Sequence, residues 1–558
     1  MTGLPRAATG GRAVLDDRPI GTDVVVVGSG AAGLAAAVSA AATGAAVVLV
    51  EKADRIGGTT AKSGGVFWVP GNRHQTALGI HEDRDLVLRY ISRVSAPDRY
   101  DDAVPGYGLN QWERDLLSAY VDDCPAVLDA LEDLGVLHST LAAGGDFPDY
   151  HCELPEQGGV RGRALSPVKP DGGAGTGSDL VDQLLVGAER FGVQILTGTT
   201  FEDLLLEGDR VTGVLVRSSG RQFSVLANGG VVLAAGGFTH DPERRGNLPG
   251  MVWGGCAVGE NSGDVLAPLE ALAVPLVNMD CAWWDQVAVE HVIHGRTETR
   301  AGVWVAPGDS SVIVNLRGER VVNEKATYNT RAKVHHGPDA PKLLLLLLDQ
   351  RALVEFSSEE FAYPVAPADT TDPTHIISAG SWLELAGAVD ARLQQLGHLV
   401  GQARIEHGFT SRLEATISAY GDAARAGVDR EFNRGEQPIE IFFSGDARPG
   451  CGPNPTMAPF ADEGPYHAVL IGLGTLDTKG GPRTDRSGRV LDLQGSPVPG
   501  LYAAGNCAAS PSGQGYWAAG ATIGSALTFG FAAGRHAARS RWTATSPSMT
   551  DRATHTAG

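Results

Sequence analysis

Residues 23–52 leave this chain little freedom in how it begins to fold. Asp23-Val-Val-Val-Val-Gly28-Ser-Gly30-Ala31-Ala32-Gly33 runs into an alanine-rich stretch ending near Ala42, and Val47-Val-Leu-Val-Glu51-Lys52 follows. Four consecutive valines ahead of a glycine predict a strand buried on both faces, as in a parallel sheet. Gly28 permits the tight turn, Gly30 lets backbone approach a pyrophosphate, and Gly33 lets the helix close on the strand. Glu51 ends the second strand, where a carboxylate can accept hydrogen bonds from a ribose. Glycine turns alone are common. Strand, turn, helix, strand and acid in this order predict a dinucleotide-binding βαβ unit.

That unit fits NAD or FAD. The next loop favours FAD: Arg55-Ile-Gly57-Gly58-Thr59-Thr60-Ala-Lys62-Ser63-Gly64-Gly65 would crowd amides and hydroxyls against a large flat cofactor. It is no surface linker, because Val66-Phe67-Trp68-Val69-Pro70 follows at once. Gly230 to Phe238 reads as a buried strand ending in the small residues Ala235 and Gly236. Gly259 to Asp264 opens a helix over 265–273, and a helix start can host a phosphate or ribose. Cofactor character returns at Gly505-Asn506 and at the start of the last helix, Ala521 and Ile523. The candidate cofactor contacts are Gly28, Gly30, Ala31, Ala32, Gly33, Glu51, Lys52, Gly57, Gly58, Thr59, Thr60, Ser63, Gly64, Gly65, Ala235, Gly236, Asp264, Gly505, Asn506, Ala521 and Ile523.

At 558 residues the chain exceeds one ordinary core. Between about Asp280 and Pro453 glycine loops thin out, amphipathic stretches appear at 383–399 and 411–426, and 343–349 is strand-like. The fold class expected is α/β: a discontinuous Rossmann-type, glutathione reductase-like FAD-binding domain (21–279 and 454–539) with an inserted α+β catalytic domain (280–453) capping the substrate. Residues 1–20 and 540–558 read as flexible tails. A net charge of −20 argues against nucleic acid as a partner. Six scattered cysteines form no CxxC pair, so free thiols in a reducing compartment are expected, with no metal site. No apolar run reaches membrane-spanning length, and the N-terminal stretch lacks the apolar core of a signal peptide.

Three tyrosine-bearing segments carry the candidate chemistry: Phe147-Pro-Asp-Tyr150, Asn323-Glu-Lys-Ala-Thr-Tyr328 and Tyr516-Trp-Ala-Ala-Gly520. Gly520 at a helix start offers a backbone N–H without a helical partner. With the Tyr516 hydroxyl it would place two donors on one carbonyl oxygen, as an oxyanion hole does. Tyr328 could take a proton from the carbon beside that carbonyl if its surroundings favour the phenolate, with Tyr150 assisting. A tyrosine taken alone is more often a packed core residue with a satisfied hydroxyl.

These residues together resemble the 3-ketosteroid Δ1-dehydrogenases, within the larger fumarate reductase/succinate dehydrogenase-like flavoprotein family. The resemblance runs from about Asp23 to Arg539. It rests on GSGAAG, EKADRIGGTTAKSGG, VVLAAGGF and GLYAAGN for the larger family, and on FPDY, NEKATY, DTKGG and YWAAG for the narrower group. It implies non-covalent FAD, Tyr328 as base, Tyr150 as its helper, and Tyr516 with Gly520 as the binders of a 3-keto oxygen. The reaction implied is FAD-dependent 1,2-desaturation of a 3-ketosteroid to an enone, an oxidoreductase step of steroid metabolism acting on CH–CH groups. Electrons would leave to a quinone-like or artificial acceptor, and a cytoplasmic location follows, with peripheral association at the inner membrane face left open. Two departures bear on the substrate: Trp517 stands where the family commonly has proline, and the connection between Gly250 and Gly302, with Trp283-Trp284-Asp285, is long. A dehydrogenase of another alicyclic ketone stays open. So does a fumarate reductase-like ene-reductase, which would need Arg331 to reach the flavin.

Overall fold

The computed structural model describes residues 19–295, 302–356 apart from 304 and 307, 374–444 and 452–540. The tails expected at the two ends fall almost wholly outside these residues, as does Cys451.

Ile20–Val27 forms the middle of an eight-stranded sheet, parallel to Val47–Val50 on one side and to Arg221–Leu233 on the other. Gln194–Leu196 and Pro497–Ala503 extend it in parallel at the two flanks. The hairpin of Thr199–Glu207 and Arg210–Ser218 adds to it antiparallel. Val24, Val25, Val26 and Val27 are all buried, as a strand covered on both faces requires. The helix Ala31–Ala41 is buried at every residue. It packs on the C-terminal helix Ala521–Arg539, and glycine sets how closely. A Cβ on Gly530 would fall 2.3 Å from the Ala32 carbonyl oxygen, and one on Gly534 2.0 Å from that of Ala36. The Ala- and Gly-rich composition of both helices is thus a requirement of their spacing.

A second, six-stranded sheet is organised by the long strand Tyr466–Thr478, which pairs with Leu344–Asp349, Ile376–Ala379, Ala282–Ala288 and Gly254–Gly255. The leucine run explains its own burial. Leu343, Leu345 and Leu347 enter one apolar cluster while Leu344, Leu346 and Leu348 enter another, following the two-residue period of a strand. The helices Trp382–Leu396 and Phe409–Ala426 cover the first of these clusters, close to where helical periodicity placed them.

The chain enters the second sheet at Gly254–Gly255 and again at Tyr466–Thr478. The far end of Tyr466–Thr478 meets the first sheet: Asp477 accepts the Gly237 N–H at 3.0 Å, and the Thr478 hydroxyl accepts the Phe238 N–H at 2.8 Å.

Candidate active site

Tyrosines from three distant stretches meet at one point. Tyr150 lies beyond the strand Ser139–Leu141, Tyr328 begins the helix Tyr328–Ala332, and Tyr516 precedes the C-terminal helix. The Tyr150 hydroxyl donates to the Tyr328 hydroxyl at 2.8 Å. Ring centroids are 5.2 Å apart for Tyr150 and Tyr516, 5.6 Å for Tyr150 and Tyr328 and 5.7 Å for Tyr328 and Tyr516, all edge to face. The Thr522 hydroxyl, in the first turn of the C-terminal helix, donates to the Tyr516 hydroxyl at 3.3 Å. Burial raises the pKa of all three phenols, and neighbouring phenols oppose a charge on Tyr328. The cluster therefore holds its protons at neutral pH.

Gly520 caps the C-terminal helix at φ +84°. A Cβ there would lie 2.5 Å from the Val66 carbonyl oxygen and 2.6 Å from Phe67 Cα. Its carbonyl accepts from Trp68 and Gly524. Its N–H donates to no acceptor among the described residues, as is common for the first amides of a helix.

Each phenol stands on buried polar supports. Asp149, one residue before Tyr150, accepts from Trp68 Nε1 at 2.8 Å and from Arg163 Nη1 at 2.5 Å, while Arg163 also holds Glu82 at 2.7 Å. Beneath Tyr328, Glu324 pairs with Arg320 at 2.8 Å and Arg434 at 3.1 Å, and Arg320 also pairs with Asp429 at 2.9 Å. Asn323 folds this turn by accepting the Lys325 and Ala326 N–H groups at 2.9 and 3.2 Å. The loop of Tyr150 is tied to that of Tyr516 through the Trp517 carbonyl, which accepts from Tyr150 N at 3.1 Å and Tyr90 Oη at 2.6 Å. The Trp517 indole packs on Trp68 and Tyr120 and donates to Ser95 Oγ at 2.9 Å. The substitution expected to reshape the pocket is thus seated in the core behind it.

Arg331 does not join the phenols. It is fully buried and donates to the carbonyls of Glu324 and Val303. Burial lowers its pKa to about 10, with the Asp285 carboxylate opposing that shift. Burial raises Asp285 to about 7 against the pull of Arg331.

On the dinucleotide side the glycine turn forms a cradle. Gly28 has φ +99°, and a Cβ there would lie 2.3 Å from the Ala234 carbonyl oxygen. A Cβ on Gly33 would fall 1.9 Å from the Gly28 oxygen. Gly30 would meet only Thr60 Oγ1, at 3.6 Å, so its outer face is open, and the helix behind it has no side-chain cap. An open glycine before an uncapped helix suits a diphosphate. Glu51 takes the Ser29 N–H at 3.0 Å and the Ala53 N–H at 2.8 Å. Lys52 is half-buried in an ion pair with Asp264 at 2.9 Å, so these two sequence candidates engage each other. The Ala31 N–H is taken by Thr60 Oγ1 at 3.0 Å, and the Ala521 N–H by the Ala518 carbonyl at 3.2 Å. In the second glycine loop, Gly58 opens the short helix Gly58–Lys62, and Gly57 donates to Ser29 Oγ at 2.9 Å. Thr59 Oγ1 accepts the Val258 N–H at 3.2 Å. Ser63 Oγ accepts from Gly65 at 3.1 Å, while Gly64 has open space beside it. Ala235 and Gly236 follow the strand Arg221–Leu233, with Gly236 at φ +74°. Gly505, Asn506 and Thr522 line an apolar cavity with Trp283 and Phe529. Trp283 and Thr522 both touch Tyr516, so this cavity adjoins the phenols.

The hub of this arrangement is a residue to which sequence reasoning gave no role. Asp477 is fully buried and accepts from Asn261 Nδ2 at 2.7 Å, Asn506 Nδ2 at 3.0 Å and Thr239 Oγ1 at 3.0 Å. It sits in the DTKGG segment, but nothing local in that motif reveals that its partners lie 216 and 240 positions away. Arg163, Glu82 and Arg434 were likewise missed, being single charged residues in unremarkable surroundings. The five described cysteines are free thiols, and among the described residues no metal-ligating cluster and no helix able to cross a membrane is found.

The FAD binding domain family profile matches residues 23–523. A 4-oxocyclohexanecarboxylate 2-dehydrogenase of Sinomonas cyclohexanicum is 30% identical over 92% of this chain and 92% of that protein. A 3-oxosteroid 1-dehydrogenase of Mycobacterium tuberculosis (strain ATCC 25618 / H37Rv) is 30% identical over 92% of this chain and 98% of that protein. Among solved structures, the 3-ketosteroid delta1-dehydrogenase of Sterolibacterium denitrificans in complex with 1,4-androstadiene-3,17-dione superposes with a TM-score of 0.78 at 25% identity, covering 93% of this chain and 100% of that one.

Proposed function

The chain belongs to the FAD binding domain family, and from that premise we propose that it desaturates a 3-ketosteroid beside its carbonyl, using the three phenols and Gly520. Convergence of Tyr150, Tyr328 and Tyr516 beside an unused Gly520 N–H carries this reading. The Tyr516 hydroxyl and the Gly520 N–H donate to the substrate carbonyl and stabilise the enolate that forms as the adjacent C–H is broken. Tyr328 takes that proton in its phenolate form, a state that burial and the neighbouring phenols oppose and that a hydrogen bond donated by the Tyr150 hydroxyl has to support during turnover. FAD bound at the glycine turn would supply the acceptor for the hydride that leaves the next carbon. Burial of the cluster excludes water from the enolate, and the edge-to-face rings hold all three hydroxyls in register.

The glycine turn and Glu51 would hold the adenosine diphosphate half of FAD, with Gly505, Asn506 and the start of the C-terminal helix beside its ring. Phe147 lies 4.6 Å from Phe442 and 6.1 Å from Phe443, and Phe443 lies 6.5 Å from Tyr150, centroid to centroid. This aromatic wall suits an extended apolar ligand. A single-ring keto acid, as named for the Sinomonas relative, is the second reading, with the same chemistry. A fumarate reductase-like role would need Arg331 at the flavin, and its guanidinium is committed to two backbone carbonyls. Electrons would pass on to a quinone-like acceptor.

The test is turnover of the holoenzyme with a dye acceptor, comparing 3-ketosteroids with 4-oxocyclohexanecarboxylate. A larger kcat/KM for the steroids supports the primary reading. The reverse order favours the single-ring ketone, and turnover of neither removes the dehydrogenation proposal.

A further inference from the structure

Trp283 and Lys479 meet beside Tyr516. Trp283 belongs to the strand Ala282–Ala288, and Lys479 directly follows the strand Tyr466–Thr478. The Lys479 backbone N–H donates to the Cys281 carbonyl at 2.9 Å, which fixes the two segments to each other. Both side chains are buried.

Burial pushes the Lys479 pKa well below the ordinary lysine range, and a full set of acceptors on Nζ supports the ammonium against it. Nζ donates to Ser512 Oγ at 3.0 Å, to the Gly513 carbonyl at 3.0 Å and to the Gly515 carbonyl. Three acceptors match the three protons of an ammonium group. On its remaining side lies the Trp283 ring, 3.7 Å from Nζ to centroid, a cation–π contact. All three acceptors belong to the loop that ends at Tyr516. Trp283 in turn lies 4.7 Å from the Tyr516 ring, centroid to centroid, and is pinned by Nε1 donating to Asn506 Oδ1 at 3.0 Å. Lys479 thus reaches Tyr516 by two routes, the backbone of 512–515 and the indole between them.

We propose that Lys479 is a positioning residue for Tyr516, holding the phenol donor against the substrate carbonyl through the 512–515 loop and the Trp283 ring. The inference rests on the ketone-dehydrogenation reading for its consequence, not for its geometry. Without the ammonium, the buried Ser512 hydroxyl and Gly515 carbonyl and the part-buried Gly513 carbonyl lose this donor, and the loop is left with its ties through Gln514 to Trp284, Asp280 and Asn329. The hydroxyl of Tyr516 then leaves the place where Thr522 orients it, and a misplacement of about 1 Å can cost on the order of 100-fold in rate.

Two measurements on Lys479→Met test this. A crystal structure of the variant holoenzyme is expected to show the 512–515 loop shifted and the Tyr516 oxygen out of hydrogen-bond reach of Thr522; an unmoved loop and phenol overturn the proposal. In a double-mutant cycle, Lys479→Met is expected to lower kcat by tenfold or more in the native background and by less than about threefold when Tyr516 is already Phe, because coupled residues are non-additive. Equal losses in the two backgrounds make Lys479 a merely structural residue and overturn it. If Lys479→Met does not fold, the same cycle and structure with Trp283→Phe decide, since the smaller ring opens the gap between Lys479 and Tyr516. If the native enzyme turns over no ketone, the reaction reading fails while the structural arm still decides the tether.

Discussion

Replacing Tyr516 by phenylalanine isolates the role of one hydroxyl. The ring keeps its contacts at 4.7 Å with Trp283, 5.2 Å with Tyr150 and 5.7 Å with Tyr328, centroid to centroid, so no cavity opens. Folding loses the hydrogen bond from Thr522 and the one shared with Tyr328. At a net ~1 kcal/mol each, less the relief of no longer burying the hydroxyl, the stability change should stay within about 2 kcal/mol. Native flavin content and a similar unfolding midpoint are therefore expected. The catalytic loss should be far larger. One of two donors to the developing oxyanion disappears, worth about 2.7–4 kcal/mol, or a fall of about 100- to 1,000-fold in turnover. The assay is dye-coupled steady-state kinetics on flavin-normalised enzyme, with kcat and KM separated. A fall in kcat/KM of less than tenfold, or a rise in KM with kcat intact, refutes the reasoning, because it would mean that the hydroxyl binds ground state and transition state alike.

Arg163→Met should leave Asp149 and Glu82 as buried carboxylates without their guanidinium, costing about 3–5 kcal/mol in urea unfolding; a change under 1 kcal/mol contradicts the support assigned to the Tyr150 loop. Asp285 is raised to about 7 in the folded protein from 3.8. Its contribution is therefore fully present below about pH 4 and is lost as pH rises to about 7. Asp285→Asn removes this dependence, so the variant's stability deficit should be larger at pH 5 than at pH 8 by up to about 2–3 kcal/mol, at about 1.4 kcal/mol per pH unit. A deficit that does not vary with pH contradicts a raised Asp285.

The first βαβ unit was legible because its constraints are local. Spacing of Gly28, Gly30 and Gly33 and the run of valines fix a turn and a buried strand within a few residues. Helical periodicity likewise placed 382–396 and 409–426 closely. The phenol cluster was legible only through resemblance, since meeting of residues 150, 328 and 516 is a tertiary fact with no local signature. For the same reason Asp477, Lys479 and Arg163 stayed hidden: each is one polar residue whose partners lie far along the chain. The reach of the strand Tyr466–Thr478 into both halves of the molecule had no local signature, because its pairing with Leu344–Asp349 and its contact with Gly237 are tertiary facts. Trp517 stood out in the sequence only as a departure from the family's proline that bears on the substrate. The turn before the C-terminal helix sends its indole to Trp68 and Tyr120.

Central to the account is that Tyr328 removes the proton that starts electron flow from a cyclic ketone to FAD. Anaerobic mixing of native and Tyr328→Phe holoenzymes with a 3-ketosteroid, followed by the visible flavin absorbance and by the enone formed, measures this directly. The account predicts bleaching with one enone per flavin in the native enzyme, and a rate lowered by at least about 100-fold in the variant with its flavin still bound. Bleaching at the native rate in Tyr328→Phe, or no bleaching of the native enzyme, would contradict it.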